Sequence, residues 1–246
     1  MRNERRLAQR TPRDPAVLGP EFFDRDTVTV ARDLLGKVLV REIDGVRLLG
    51  RLIEVEAYLG PDDLAAHSRG GRRTPRTEVM FGAPGHAYVY FTYGMHWMLN
   101  FVTREEGMPQ AVLVRALEPG PGVGRCGGPG LVARALSIDR ALNGTRLQPP
   151  DLYLIDDGAP KQRIIVTPRI GVQGTGVWEK RLLRFCVDSQ FLSRPLPKRL
   201  KKANPGERAA ALARPYGRVG SADAAMRGNR RGSLSLPLRP AARRGV

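Results

Sequence analysis

The pattern of apolar and polar positions changes several times along the chain, and each change marks an element. FFDRDTVTVARDLLG (22–36) carries the signals of a short helix: Asp26 or Thr27 can cap its start, and Gly36 sits where a helix ends. KVLVREIDGVRLLGRLIEVEAY (37–58) reads as two strands joined by a turn at Asp44-Gly45. Within it, RLIEVEAYLG (51–60) has period two, so Ile53, Val55 and Ala57 take one face, and Leu52, Glu54, Glu56 and Tyr58 the other. Two carboxylates and a tyrosine therefore share one strand face opposite a core-like one. Residues 60–85 are rich in Gly, Pro and Arg and are expected to be mostly loop; HAYVYFTYGMHWMLNFV (86–102) is strand-like with a break at Tyr93-Gly94, and QAVLVRALEP (110–119) is another strand. GPGLVARALSID (128–139) predicts a capped helix, and RIIVTPRIGV and RLLRFCV add later strands. The mixture predicts one α+β domain over residues 19–194 with a largely antiparallel sheet.

Charge changes the picture at both ends. Lys and Arg number 41 against 24 acidic residues, a net charge of +17 in 246 residues, which makes nucleic acid the first expected partner and an anionic membrane surface the second. The segment from Pro195 to the end holds thirteen Lys or Arg and two acidic residues, with few large apolar side chains. It is expected to be a disordered basic tail (195–246), either merely solvated or attached to nucleic-acid backbones, and residues 1–18 are expected to form a flexible basic arm. No run of about 18 apolar residues is present to span a bilayer, and the basic N-terminus has no apolar core for a secretory signal. Two cysteines, Cys126 and Cys186, argue against a disulfide framework; with three histidines and no C-x-x-C pair, no metal site is expected.

Aromatic residues are few but clustered. Phe81, Tyr88, Tyr90, Phe91, Tyr93, Trp97 and Phe101 lie within 21 residues. Alone, they describe a strand-rich core with tyrosine hydroxyls at its watery edge. With Tyr58 and the carboxylates on one segment, and Arg69, Arg72, Arg73 and Arg76 on the loop between, they also supply what holds a flat base near a phosphate backbone.

The motifs EAYLG, AAHSRGG, YVYFTYGM and RALEP, with GGPGLVARALSID, TPRIGV and LLRFCV, resemble as a set the alkyladenine (3-methyladenine) DNA glycosylases of vertebrates and many bacteria, over roughly residues 17–190. The resemblance implies a compact mixed fold with a curved antiparallel sheet, no metal or other cofactor, and an enzyme that flips a damaged purine out of duplex DNA and hydrolyses its N-glycosidic bond. By position, Glu56 matches the carboxylate that activates water and Arg115 the arginine that holds it; spacing alone leaves Glu54 equally eligible, and the resemblance decides for Glu56. Tyr58, His67 and Tyr90 match the residues that sandwich the base. Asn100 matches the one that crowds guanine's amino group, Tyr93 the intercalating wedge, with Met95 beside it. Arg69, Arg72, Arg73 and Arg76 are candidates for the DNA backbone. With no lysine between Glu54 and Tyr93 to form a Schiff base, a monofunctional enzyme is expected. The expected partner is double-stranded DNA bearing 3-methyladenine, 7-methylguanine, hypoxanthine or ethenoadenine. The protein is expected to be a monomer in the cytoplasm, at the nucleoid in a bacterium or in the nucleus of a eukaryote. Two departures stand out, a longer loop at 103–109 and Leu131 where a lysine is common. A non-catalytic DNA-binding protein is the main alternative, and a hydrolase of free nucleosides a weaker one.

Overall fold

A computed structural model describes residues 15–197; the greater part of the expected basic arm and nearly all of the expected tail lie outside the described residues. Nine strands and three α-helices follow in chain order: β1 (Ala16–Val17), α1 (Pro20–Phe23), α2 (Thr27–Leu34), β2 (Val38–Ile43), β3 (Val46–Tyr58), β4 (Ala87–Thr92), β5 (His96–Thr103), β6 (Gln110–Pro119), α3 (Pro129–Ala135), β7 (Leu152–Asp156), β8 (Ile165–Thr167) and β9 (Arg184–Cys186). All strand pairs are antiparallel, in the order β1-β7-β2-β3-β6-β5-β4, with β9 on the second half of β3 and β8 on β9. This is the mixed α+β fold with a large antiparallel sheet that the pattern predicts.

The single helix expected over 22–36 is two. The Asp26 side chain accepts the Thr29 N–H and starts α2, whose Thr27, Val30, Ala31 and Leu34 are buried at helical spacing. The Asp44-Gly45 and Tyr93-Gly94 signals are turns with both residues at positive φ (49° and 77°, 54° and 67°), the left-handed pair that suits a tight hairpin. Helix α3 is shorter than expected and begins at Gly128 and Pro129 without a side-chain cap. The strands expected in 163–172 and 181–187 shrink to three residues each.

Two strands were not expected at all. β7 lies in LYLID, flanked by Pro and Asp that mask its pattern, and it pairs with both β2 and β1. β1 falls inside the expected arm, so the sheet reaches to residue 16.

The long strand β3 positions the chemistry. Its first half pairs with β2, its second with β9, and β6 runs along its other edge. Strict alternation fails in the middle, where the β3–β6 register slips on either side of Glu54. Leu52 therefore joins Val55 and Ala57 in the main core, whereas Ile53 packs with Ala116 and Val187 in a smaller cluster. An irregularity of this kind re-aims side chains, and here it sits directly before the two glutamates. The second face of β3 is not solvated: both Glu54 and Glu56 are 0% exposed.

Candidate active site

Glu54 and Glu56 occupy the same strand face but differ in how their oxygens are used. An ionised carboxylate offers about four lone-pair positions. Glu54 accepts four hydrogen bonds: from Arg115 Nε (3.0 Å), Arg184 Nε (2.7 Å), the Ser193 hydroxyl (2.6 Å) and the Ser193 N–H (2.7 Å). Glu56 accepts three: Oε1 from the Ile170 N–H (2.8 Å), and Oε2 from Tyr58 O–H (3.0 Å) and Arg115 Nη1 (3.2 Å). Three of the bonds to Glu54 fall on Oε1 and one on Oε2, whereas Glu56 Oε1 accepts only the Ile170 N–H and keeps one position. Arg115 bridges the two acids with separate nitrogens, which fixes the fork.

Their titration differs accordingly. Burial pushes the Glu54 carboxyl up, but the charge and hydrogen bond of Arg184 and the bonds from Ser193 outweigh it and leave it below the usual carboxylate range. For Glu56, burial is the larger effect and lifts the carboxyl above that range, against the pull of Arg115, the Ile170 N–H and Tyr58. The burial of Glu56 is complete because β6 and β9 flank it on both edges and the 170 segment covers its face.

All three partners of Glu56 line a cavity of about 480 Å³, within the range usual for small-molecule sites. Glu56 lies immediately behind that wall. Also lining it are His67, Tyr88, Tyr90 and Asn100 from the aromatic stretch and its preceding loop, and Tyr93 at its edge. The His67 ring stands edge-on to Tyr90 at 4.5 Å, and its Nδ1 shares a hydrogen bond of 2.9 Å with the Tyr88 hydroxyl. Tyr88 thus does not point to water, as a strand-edge tyrosine would; it is buried, and its hydroxyl is pushed up to about 12. Burial and the nearby Arg76 and Arg69 push His67 down to about 4, so its ring is neutral at pH 7. Asn100 is buried and donates to the Tyr88 carbonyl at 3.1 Å.

A family model for methylpurine-DNA glycosylases matches residues 21–190. The chain belongs to the methylpurine-DNA glycosylase family. It is 46% identical over 198 residues to a protein of Desulfitobacterium hafniense (strain Y51), covering 72% of this chain and 98% of that one. It is 48% identical over 176 residues to one of Legionella pneumophila (strain Paris), 70% of this chain and 96% of the relative, and 49% identical over 179 residues to one of Anaeromyxobacter dehalogenans (strain 2CP-C), 72% and 86%. All three are provisionally named 3-methyladenine DNA glycosylase. The protein is thus a hydrolase, a DNA glycosylase for alkylated bases, and DNA is its substrate.

The remaining predicted residues of this glycosylase fall into two groups. Tyr93 and Met95 sit on the β4–β5 turn at 80% and 67% exposure, and Tyr93 lines the cavity. The four loop arginines are exposed but not equivalent. Arg69 lines the cavity, Arg76 lies over the Tyr90 ring at 4.9 Å, and Arg72 is simply exposed. Arg73 is engaged: it makes a two-pronged pair with Glu78 (2.9 and 2.6 Å) and covers Phe81.

Five positions around the site escaped the sequence. Ile170 contributes through its main chain, which no side-chain motif reveals. Arg169 and Asp63 form a buried two-pronged pair (2.5 and 2.7 Å), and the Arg169 guanidinium supports the Tyr58 ring at 4.5 Å. Asp63 also accepts the Leu59 and Ala65 N–H groups, so one carboxylate shapes the loop after β3. Arg184 and Ser193 complete the Glu54 network from more than 100 residues away. Among the described residues, no group of three or more His, Cys, Asp or Glu comes together that could hold a metal ion.

Proposed function

We propose that the chain is a monofunctional glycosylase of base-excision repair. It acts as a monomer on duplex DNA that carries 3-methyladenine, 7-methylguanine, hypoxanthine or ethenoadenine. The observation that carries this reading is a buried carboxylate with one unused lone-pair position, set behind the wall of an aromatic cavity. Burying an acid this way is costly for a protein that only binds DNA, and it is usual where an acid must react.

The extruded purine enters between Tyr58 on one side and the touching rings of His67 and Tyr90 on the other, with Arg169 against Tyr58, Tyr88 bonded to His67 and Arg76 against Tyr90. Neutral His67 accepts or donates without adding charge beside the base. Asn100, held by the Tyr88 carbonyl, crowds the exocyclic amino group of guanine and so works against the normal base. Water held on Glu56 Oε1 gives its proton to the carboxylate as its oxygen bonds to C1′. The bond to the base nitrogen breaks, its electrons leave with the base, and an intact abasic sugar remains. The negative charge of Glu56, whose carboxylate Arg115 holds in place, also stabilises the positive charge that grows on the sugar as the base leaves.

The test is a duplex panel with one lesion per strand. Scission at the lesion is expected only after alkali; no release from any lesion overturns the reading, and scission without alkali overturns the monofunctional part. Tyr93→Ala is expected to weaken capture of the flipped base about tenfold, because flipping costs a few kcal/mol and the exposed ring fills the gap. Titration of Glu56→Gln protein, with and without Tyr93, measures this, and equal affinities remove the wedge role.

A further inference from the structure

Of the three donors on Glu56, Arg115 is anchored by Glu54. The other two, the Ile170 N–H and the Tyr58 hydroxyl, meet at a different buried group. Arg169 directly precedes Ile170, and its guanidinium lies 4.5 Å from the centre of the Tyr58 ring. The same guanidinium donates Nη1 to the Ala57 carbonyl at 2.9 Å and grips both Asp63 oxygens, through Nη1 at 2.5 Å and Nη2 at 2.7 Å. Asp63 in turn accepts the Leu59 and Ala65 N–H groups at 3.0 Å each. One ion pair therefore ties the end of β3, the start of the loop that carries His67 and the residue before Ile170 to a single plane. Both of its side chains are fully buried, and neither is among the residues that line the cavity.

A buried ion pair is weak evidence for stability, because apolar residues of similar volume often serve as well. What this one supplies is direction. With its fork closed on Asp63 and a further bond on Ala57, the planar guanidinium cannot turn, and the ring that lies against it is held with it. Tyr58 has to lie flat against a purine and also point its hydroxyl at Glu56 Oε2. Ile170 has to keep its N–H on Oε1, because that bond decides which lone-pair position remains.

We infer that Arg169 and Asp63 are a positioning pair for base release: by holding Tyr58 and Ile170 together they aim the one free lone-pair position of Glu56. They act through these two residues and not on the substrate. The inference rests on the reading of Glu56 as the acid that activates water.

The test is single-turnover excision of hypoxanthine from a duplex by full-length protein, between about pH 5 and 9. Glu56 is faced by Glu54 and Tyr58 on β3, Arg115 on β6, Arg184 opposite it on β9 and Tyr90 on β4, and all of these are kept. Loosening the Ile170 and Tyr58 bonds withdraws support from the charged carboxylate, so the acid limb of the rate moves to higher pH. Arg169→Lys keeps the charge but has no plane to lie against Tyr58 and no two-pronged fit to Asp63. It is expected to raise the limb by about one pH unit and to lower the plateau rate about tenfold, with affinity for undamaged duplex unchanged. Because a misfit at a buried charge can cost the fold, the double variant D63N/R169M is measured beside it; it removes both charges together and leaves none alone. The same shift is expected there. A purely structural pair would lower the melting temperature and the active fraction, but the folded molecules would keep the wild-type limb. An unchanged limb and plateau in either folded variant overturns the positioning role, and so does loss of the folded state in both. Wild-type protein that releases no base from any lesion overturns the glycosylase reading and the inference with it, whereas wild-type release with the variant limbs in place overturns the inference alone.

Discussion

Glu56→Gln is expected to slow single-turnover excision by about 10²–10⁴-fold while leaving lesion binding intact, because it removes only the group that takes the proton from water in the mechanism we propose. The substitution keeps the size of the side chain and an oxygen for the Ile170 N–H. Arg115 stays anchored to Glu54 at 3.0 Å, so the cavity wall does not move. The pH profile separates loss of a base from loss of shape. Burial lifts the Glu56 carboxyl above the ordinary range, so wild-type activity falls on an acid limb above the free-glutamate value of about 4.3. The variant, with nothing to titrate there, shows a low rate without that limb. His67 is pushed down to about 4 and cannot supply a limb at higher pH. A variant that keeps the wild-type rate, or a low rate with the same limb, removes Glu56 as the base.

How far the sequence carries the fold and the site depends on the range of the interaction concerned. The two left-handed turns at Asp44-Gly45 and Tyr93-Gly94, the Asp26 cap and the long strand before Tyr58 are legible because local chemistry fixes them. β7 and β1 are not, since their pairing partners lie more than 100 residues apart. The alternation that places Glu54 and Glu56 on one face is visible in the sequence, and so is the ambiguity between them. What separates them, four hydrogen bonds against three, depends on Arg184 and Ser193 for one and on the Ile170 main chain for the other. Those contacts exist only once β9 has docked on β3. The slip in register at Glu54 likewise comes from three strands meeting, which no period-two reading of one strand contains. Of the loop arginines, composition supplies all four, and only folding tells that Arg73 is already committed to Glu78.

Opposite effects on stability are expected from the two glutamates. Glu54→Gln is expected to cost about 3–5 kcal/mol, since it leaves Arg184 buried without the carboxylate it pairs with; Arg115 still has Glu56. The melting temperature should fall on the order of 10 °C at neutral pH. The Glu54 carboxyl is lower in the folded protein than in the unfolded chain, so its stabilisation is present above the unfolded value and disappears as pH falls through the folded one. Wild type and Glu54→Gln therefore converge in acid. Glu56 has the reverse sign: its folded value is raised, the folded state binds the proton more tightly, and its charged form costs stability at neutral pH. Glu56→Gln is expected to melt a few degrees above wild type at pH 7, and the gap closes as the pH drops through the folded value and wild-type Glu56 takes up its proton. Melting curves of the three proteins from pH 4 to 8 test both signs together. If Glu56→Gln loses as much stability as Glu54→Gln, the two acids are one structural network and the division of labour between an ion-paired anchor and a buried, reactive carboxylate is wrong. If they move apart as expected, the enzyme holds its base in a position that costs stability, with the neighbouring ion cluster holding the strands that fix it there.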